Sequence, residues 1–209
     1  MDVSLMRAEL VGRLPVRQDP MIVRRWERSD LDLLAQWPAY PEQYSVFRFG
    51  FASFGPAQMD SLYRERESED NRFTLVVDCG SAKSIAYLAV LEIDWESRWS
   101  GNMGIRVHPR WCDGGVGSWS LAAVAEWWFA AGMNGLRLDV AGSNARAVRC
   151  YEKVGFVRTG EFWREAPDLR GADLTAPEWD FLAGHVRMRS DVPEVRFLFM
   201  ELKPGEQAP

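Results

Sequence analysis

The chain has 209 residues, 47% of them apolar and 26% charged, the proportions of a folded globular protein rather than of a disordered or membrane-embedded one. A formal charge of −5 disfavours a nucleic-acid partner, no apolar run approaches the ~18 residues of a membrane span, and the start MDVSLMRAEL lacks the basic and apolar regions of a signal peptide, so a cytoplasmic location is expected. Cys79, Cys112 and Cys150 are widely spaced with no CxxC pair, and His108 and His185 are the only histidines, so neither a disulfide framework nor a metal site is expected.

In chain order, residues 1–20 read as an N-terminal arm with a short strand at 9–16 broken by Pro15, and 22–26 as a clearer strand. Ser29, Asp30 and Asp32 form an N-cap and acidic first turn ahead of Leu31, Leu34 and Trp37, which predicts a short helix ending at Pro38. Residues 40–54 are aromatic and irregular, with Tyr44, Phe47, Phe49, Phe51 and Phe54. Pro56 then opens a helix whose Met59, Leu62 and Tyr63 share a face. Strands follow at 73–77 and 85–95, the second apolar on both faces, as in a sheet covered on each side by helices. A turn at 96–99 returns an antiparallel strand at 103–107, stopped by Pro109.

After a turn at 110–114, a helix runs through Ser118, Leu121, Val124, Ala125 and Trp128 to a stop at Gly132, Asn134 and Gly135. A strand at 136–140, a helix at 144–154 and a strand at 156–163 come next. Residues 166–192, rich in Pro, Gly and Asp, read as an insertion before a last strand at 195–202. The expected architecture is one α/β domain over residues 1–209 with a mixed sheet. The 10 tryptophans read as core and cleft wall.

Two segments carry chemistry. In the first, a strand ends in Val107-His-Pro109, and Cys112-Asp-Gly-Gly-Val-Gly-Ser118 leads into a helix. Closely spaced glycines at a helix N-terminus expose unpaired N–H groups and the positive end of the dipole, a site for a pyrophosphate; a tight turn alone would also need glycine. The loop lacks the Gly-Lys-Ser/Thr ending of a P-loop and does not open a dinucleotide-binding repeat. The second segment is Asn144-Ala-Arg-Ala-Val-Arg-Cys-Tyr-Glu-Lys-Val-Gly-Phe156.

In that order the two segments resemble the GNAT superfamily, well over residues 85–163 and loosely over 22–84, with residues 91–94 most similar to the branch of ribosomal-protein N-terminal and small-amine acetyltransferases. The resemblance implies a GNAT-like acyl-CoA N-acyltransferase fold, acetyl-CoA as cosubstrate, no metal, and acetyl transfer to a primary amine by direct attack. Cys112, Asp113, Gly114, Gly115, Val116, Gly117 and Ser118 would form the pyrophosphate loop, although Cys112 stands where the family has Arg or Gln, and Asp113 where a small residue is usual. The backbone of Ile105 and Val107 would pair with the pantetheine amides, with the oxyanion held by N–H groups near Ile105. Asn144 would touch the pantetheine arm or serve as a helix N-cap. Tyr151 would donate a proton to the leaving thiolate, or merely pack on Phe156.

Glu92, expected opposite Ile105 with Asp94 two residues on, is the candidate base, set against a plain strand-end carboxylate and a water-mediated route. A cysteine nucleophile at Cys112 or Cys150 is disfavoured because the sequence places no histidine beside either. Aromatic residues at 44–54 and the insertion, with Glu165, Asp168, Asp173 and Glu178, are expected on the acceptor side; those acids either attract a cationic amine or are simply solvated. The acceptor stays open between a small-molecule amine and a peptide N-terminus, and a homodimer is allowed. A non-catalytic acyl-CoA-binding regulatory module is the second reading, motivated by Cys112 and Asp113 and opposed by Tyr151.

Overall fold

The computed structural model describes residues 2–40 and 51–206. Helices α1 (Val3–Gly12), α2 (Arg28–Ala35), α3 (Pro56–Ser68), α4 (Val116–Ala130) and α5 (Ala145–Val154) accompany strands β1 (Val16–Gln18), β2 (Met21–Arg25), β3 (Phe73–Cys79), β4 (Ala82–Asp94), β5 (Trp99–Val107), β6 (Gly135–Ala141), β7 (Val157–Glu165), β8 (Val186–Arg189) and β9 (Val192–Leu202). The strands form one mixed sheet in the order β1-β2-β3-β4-β5-β6-β9-β7, with β8 added on β9. This is the expected mixed α/β architecture. Among the described residues no helix is long and apolar enough to cross a membrane.

The run in β4 that is apolar on both faces divides between two cores, as a strand of period two requires. Ala86, Leu88 and Val90 join Leu121, Val124 and Trp128 of α4 and Val148 and Val154 of α5. Tyr87 and Ala89 join Leu31 and Leu34 of α2, Met59 of α3, and Trp26. Both faces of the sheet are thus covered, by α1, α4 and α5 on one side and by α2 and α3 on the other.

Two expectations are corrected. Residues 3–12 are a helix, not a strand at 9–16: Met6 and Leu10, four apart, are both buried, and the Leu10 carbonyl accepts the Trp127 indole N–H at 2.9 Å. The N-terminus of α2 lies at Glu27, whose backbone N–H donates to Asp30 at 2.6 Å, while the same carboxylate turns inward to Arg24. The 166–192 segment, read as an insertion, holds two short 3₁₀ turns and β8, and its Leu169 and Leu182 pack on Val195 and Phe197 of β9.

The feature that positions the site is the partial pairing of β5 with β6. The two run parallel and are paired only at Trp99–Gly135 and Ser100–Leu136, then separate. A Cβ on residue 135 would lie 2.4 Å from the Trp99 ring, so glycine is what lets the strands meet there. Trp128 ties α4 to the same point by donating to the Gly135 carbonyl at 3.0 Å.

Candidate active site

Beyond the separation of β5 and β6 lies a cavity of about 470 Å³. One wall is the end of β5, the other the end of β6, and the floor is made by the first turn of α4 and one face of α5. It brings together Ile105, Val107, Cys112, Asp113, Gly115, Gly117, Ser118, Asn144 and Tyr151, nine of the residues expected from sequence.

The direction of the β5 edge follows from its ladder. His108 donates to the Ile85 carbonyl on β4 at 2.8 Å, so even-numbered residues of this strand turn their backbone groups to β4 and Ile105 and Val107 turn theirs to the cleft. The Val107 carbonyl already accepts a hydrogen bond from the Tyr40 hydroxyl. The Cys112 sulfur lies 3.7 Å from the carbonyl oxygens of both Val107 and His108. Burial pushes the Cys112 thiol up, which makes it a poor nucleophile at neutral pH.

At the turn, Gly115 is the N-cap of α4 with φ of 81°, a left-handed conformation that glycine adopts without strain. The first N–H groups of a helix have no intrahelical partner, and here Gly115, Gly117 and Ser118 of that turn line the cavity. Asp113 beside them is 76% exposed and lies 3.9 Å from Arg146, so solvent and that cation screen its charge. Gly114 does not line the cavity, and the Val116 side chain is buried in the core beneath α4, so these two expected contacts reduce at most to backbone.

Asn144 caps α5, its carbonyl oxygen accepting the Ala147 N–H at 3.1 Å. Tyr151, about two turns further, is 6% exposed and lines the cavity, with its ring 5.8 Å from Phe156. Burial, with smaller contributions from Cys150 and Asp139, holds its phenol well above the ordinary tyrosine range, so it remains protonated.

Glu92 is not at the cleft. The β4–β5 hairpin closes tightly, Asp94 opposite Trp99, so Ile105 stands opposite Leu88 instead; Glu92 packs against Gly101, is exposed, and does not line the cavity. Glu165, Asp168, Asp173 and Glu178 are likewise exposed and away from it; Asp173 accepts from the Thr175 hydroxyl at 2.6 Å in a local turn. Phe51 is buried in the core under α2 and α3 with Phe54 packed against it, whereas Tyr44, Phe47 and Phe49 lie outside the described residues.

Sequence reasoning missed Tyr40, Arg106, Asp139, Arg146, Arg149 and Lys153, all of which line the cavity. For the last three a signal existed: spacings of three and four put them on one face of α5, a basic stripe on the same helix as Asn144 and Tyr151. Asp139 had none, being a single acid in a short apolar strand.

The family model described as Acetyltransferase (GNAT) domain matches residues 21–157, about two thirds of the chain. No curated protein matches. Among solved structures, spermidine N-acetyltransferase from Vibrio cholerae, in complex with CoA and spermine, is similar at 16% identity, covering 90% of this chain and 98% of its own with a TM-score of 0.66. RimJ from Mycobacterium smegmatis, in complex with CoA-disulfide, is similar at 13% identity, covering 89% and 83% with a TM-score of 0.63. The split between β5 and β6, the glycine turn at α4 and the Tyr151 motif agree with the family match: the chain belongs to the GNAT acetyltransferase family.

Proposed function

We propose that this acyl-CoA-dependent acetyltransferase moves the acetyl group of acetyl-CoA to a primary amine within the β5–β6 cleft, with Tyr151 as the proton donor. The observation that carries the assignment is that the Tyr151 side chain and the glycine turn at the α4 N-terminus line one cavity where the sheet splits. Acetyl-CoA supplies an activated thioester. The residues suit such a molecule: an anion-binding helix end, a basic stripe of Arg146, Arg149 and Lys153, and a strand edge with backbone groups turned to the cleft.

In this reading the N–H groups of Val116, Gly117 and Ser118 hold the pyrophosphate and the α5 stripe adds charge-assisted contacts. Ile105 and Val107 hold the pantetheine amides, which requires the Tyr40 hydroxyl to share or release the Val107 carbonyl. The Asn144 oxygen is spent on its helix cap, leaving its amide N–H₂ as the donor to the pantetheine arm. The neutral amine nitrogen bonds to the acetyl carbon, the carbon–sulfur bond breaks and the thiolate takes the Tyr151 proton, while the proton released from the nitrogen passes through water to the tyrosinate. A small-molecule amine is the acceptor class favoured by the likeness to the spermine-bound structure. Family membership and the cavity position of Tyr151 favour catalysis over a non-catalytic acyl-CoA sensor.

The test is CoA-dependent stabilisation and thiol release. At a hundred times its Kd, CoA should add about 2.7 kcal/mol of stability, read as a rise in Tm. Acetyl-CoA with an amine panel should then release free thiol. No Tm shift at millimolar CoA overturns the site; a shift without thiol release from any amine overturns the catalytic reading.

A further inference from the structure

A second cavity, of about 570 Å³, lies on the other flank of α5, between that helix and the helix side of β9 and β7. Ala145, Val148, Arg149 and Glu152, at spacings of three and four, present one face of α5 to it, and Arg196 and Leu198 are alternate residues of β9. Three segments meet here: the turn from β6 to α5, β9, and the 166–192 segment. The Gly142 N–H donates to the Arg196 carbonyl at 2.9 Å, and the Arg196 N–H to the His185 carbonyl at 2.8 Å. A Cβ on residue 142 would stand 2.7 Å from His185 Nδ1, so glycine is what lets the imidazole seat against this turn.

The cations of this cavity are unequally partnered. Arg158 is engaged by Glu152, with Nε at 3.0 Å and Nη2 at 2.7 Å from one carboxylate oxygen. Arg196 is held more weakly. Its Nη2 donates to His185 Nδ1 at 3.2 Å, and the Glu161 carboxylate stands 3.7 Å from its Nη1, beyond hydrogen-bond reach, on a side chain 54% exposed. A guanidinium only donates, so Nδ1 accepts and the imidazole carries its hydrogen on Nε2. Burial and the nearby Arg196 hold His185 below the ordinary histidine range, so it is a neutral donor. Arg149, exposed on the ridge of α5, completes the set.

We propose that this cavity binds the phosphate group of a small phosphorylated molecule, between Arg196, His185 and Arg149. The donors come from β9, the 166–192 segment and α5, three separate walls; a tetrahedral oxyanion has an oxygen for each, a planar carboxylate has two in all. Glu161 turns to solvent as the anion takes its place beside Arg196. A phosphate fills only part of the volume, and Val148 and Leu198 receive the organic part of the ligand.

The experiment titrates inorganic phosphate and phenyl phosphate by calorimetry into wild type, Arg196→Gln, Glu161→Gln, and a double variant, Gly117→Val with Cys150→Ala, that obstructs the glycine turn of the first cavity. Wild type should bind both probes, phenyl phosphate the more tightly. Arg196→Gln should weaken both about tenfold or more while keeping the CoA-dependent Tm shift, and Glu161→Gln, which removes the competing carboxylate, should tighten both about threefold. The double variant should keep wild-type phosphate affinity. The proposal is overturned by absence of binding to wild type at millimolar phosphate, by phenyl phosphate binding no better than phosphate, or by undiminished affinity in Arg196→Gln. Loss of binding in the double variant overturns it by placing the anion at α4, and loss of the CoA shift in Arg196→Gln by making the cavity part of the cosubstrate site. If Arg196→Gln does not fold, Glu161→Gln decides alone: equal or weaker phosphate binding there overturns the site.

Discussion

A Cβ on Gly117 would stand 3.2 Å from the Cys150 sulfur and 3.6 Å from a Val107 methyl group, so the first turn of α4 is pressed against α5 and the end of β5. Substitution here is felt by the protein as well as by any ligand. Gly117→Val should cost about 1–3 kcal/mol by overpacking and also abolish the CoA-dependent Tm shift. Adding Cys150→Ala opens the space and should return most of the stability but not the CoA shift. Urea denaturation of the single and double variants, with and without CoA, measures both effects. A Gly117→Val protein with wild-type stability would show that α4 is not packed as described.

Tyr151→Phe keeps the ring against Phe156 and deletes the hydroxyl hydrogen. Its kcat should fall by about 10²- to 10⁴-fold, equivalent to roughly 3–5 kcal/mol of barrier, with the CoA shift nearly unchanged. Because burial holds the phenol above its ordinary range, the alkaline limb of the wild-type pH profile should not be set by Tyr151. Glu92→Gln should change kcat by less than about threefold, since a surface substitution away from the cleft removes no contact with the reacting atoms. Single-turnover thiol release, which isolates the chemical step, decides both; wild-type chemistry in Tyr151→Phe would remove it from the mechanism.

Asp30 and Asp78, both almost fully buried, share the guanidinium of Arg24 at 2.8 and 3.0 Å. Burial raises both carboxyls, but hydrogen bonds from Arg24 and Ser84, and from Lys83 to Asp78, outweigh it, and both end below the ordinary carboxylate value. A carboxyl held lower in the folded state contributes stability above its unfolded pKa and loses it as pH falls through the folded value. Wild-type unfolding free energy should therefore decline below about pH 4. Arg24→Met removes the cation and leaves the burial, so both carboxyls shift up. That variant should lose about 3 kcal/mol or more at pH 7 and regain part of it toward pH 5. Denaturation curves from pH 7 to 3 test the reversal; parallel profiles for the two proteins would refute it.

The sequence by itself determined whatever depends on neighbours in the chain. The left-handed Gly115 turn, the Asn144 cap and the Tyr151 motif each sit in a contiguous stretch whose backbone is set locally, and all three line the cavity. The doubly apolar pattern of β4 likewise announced a sheet covered on both faces. Tertiary structure alone decided the pairing and the facing. The tight closure between Asp94 and Trp99 moved Glu92 four positions along β4 from Ile105, because register depends on how the hairpin closes and not on the strand's own pattern. Residues 3–12 became a helix because α4 offers Trp127 as a partner to Leu10. Asp139 came to line the cavity only because β5 and β6 part beside it, beyond their short pairing at Trp99–Gly135 and Ser100–Leu136, a relationship between residues distant in the chain that no local pattern records.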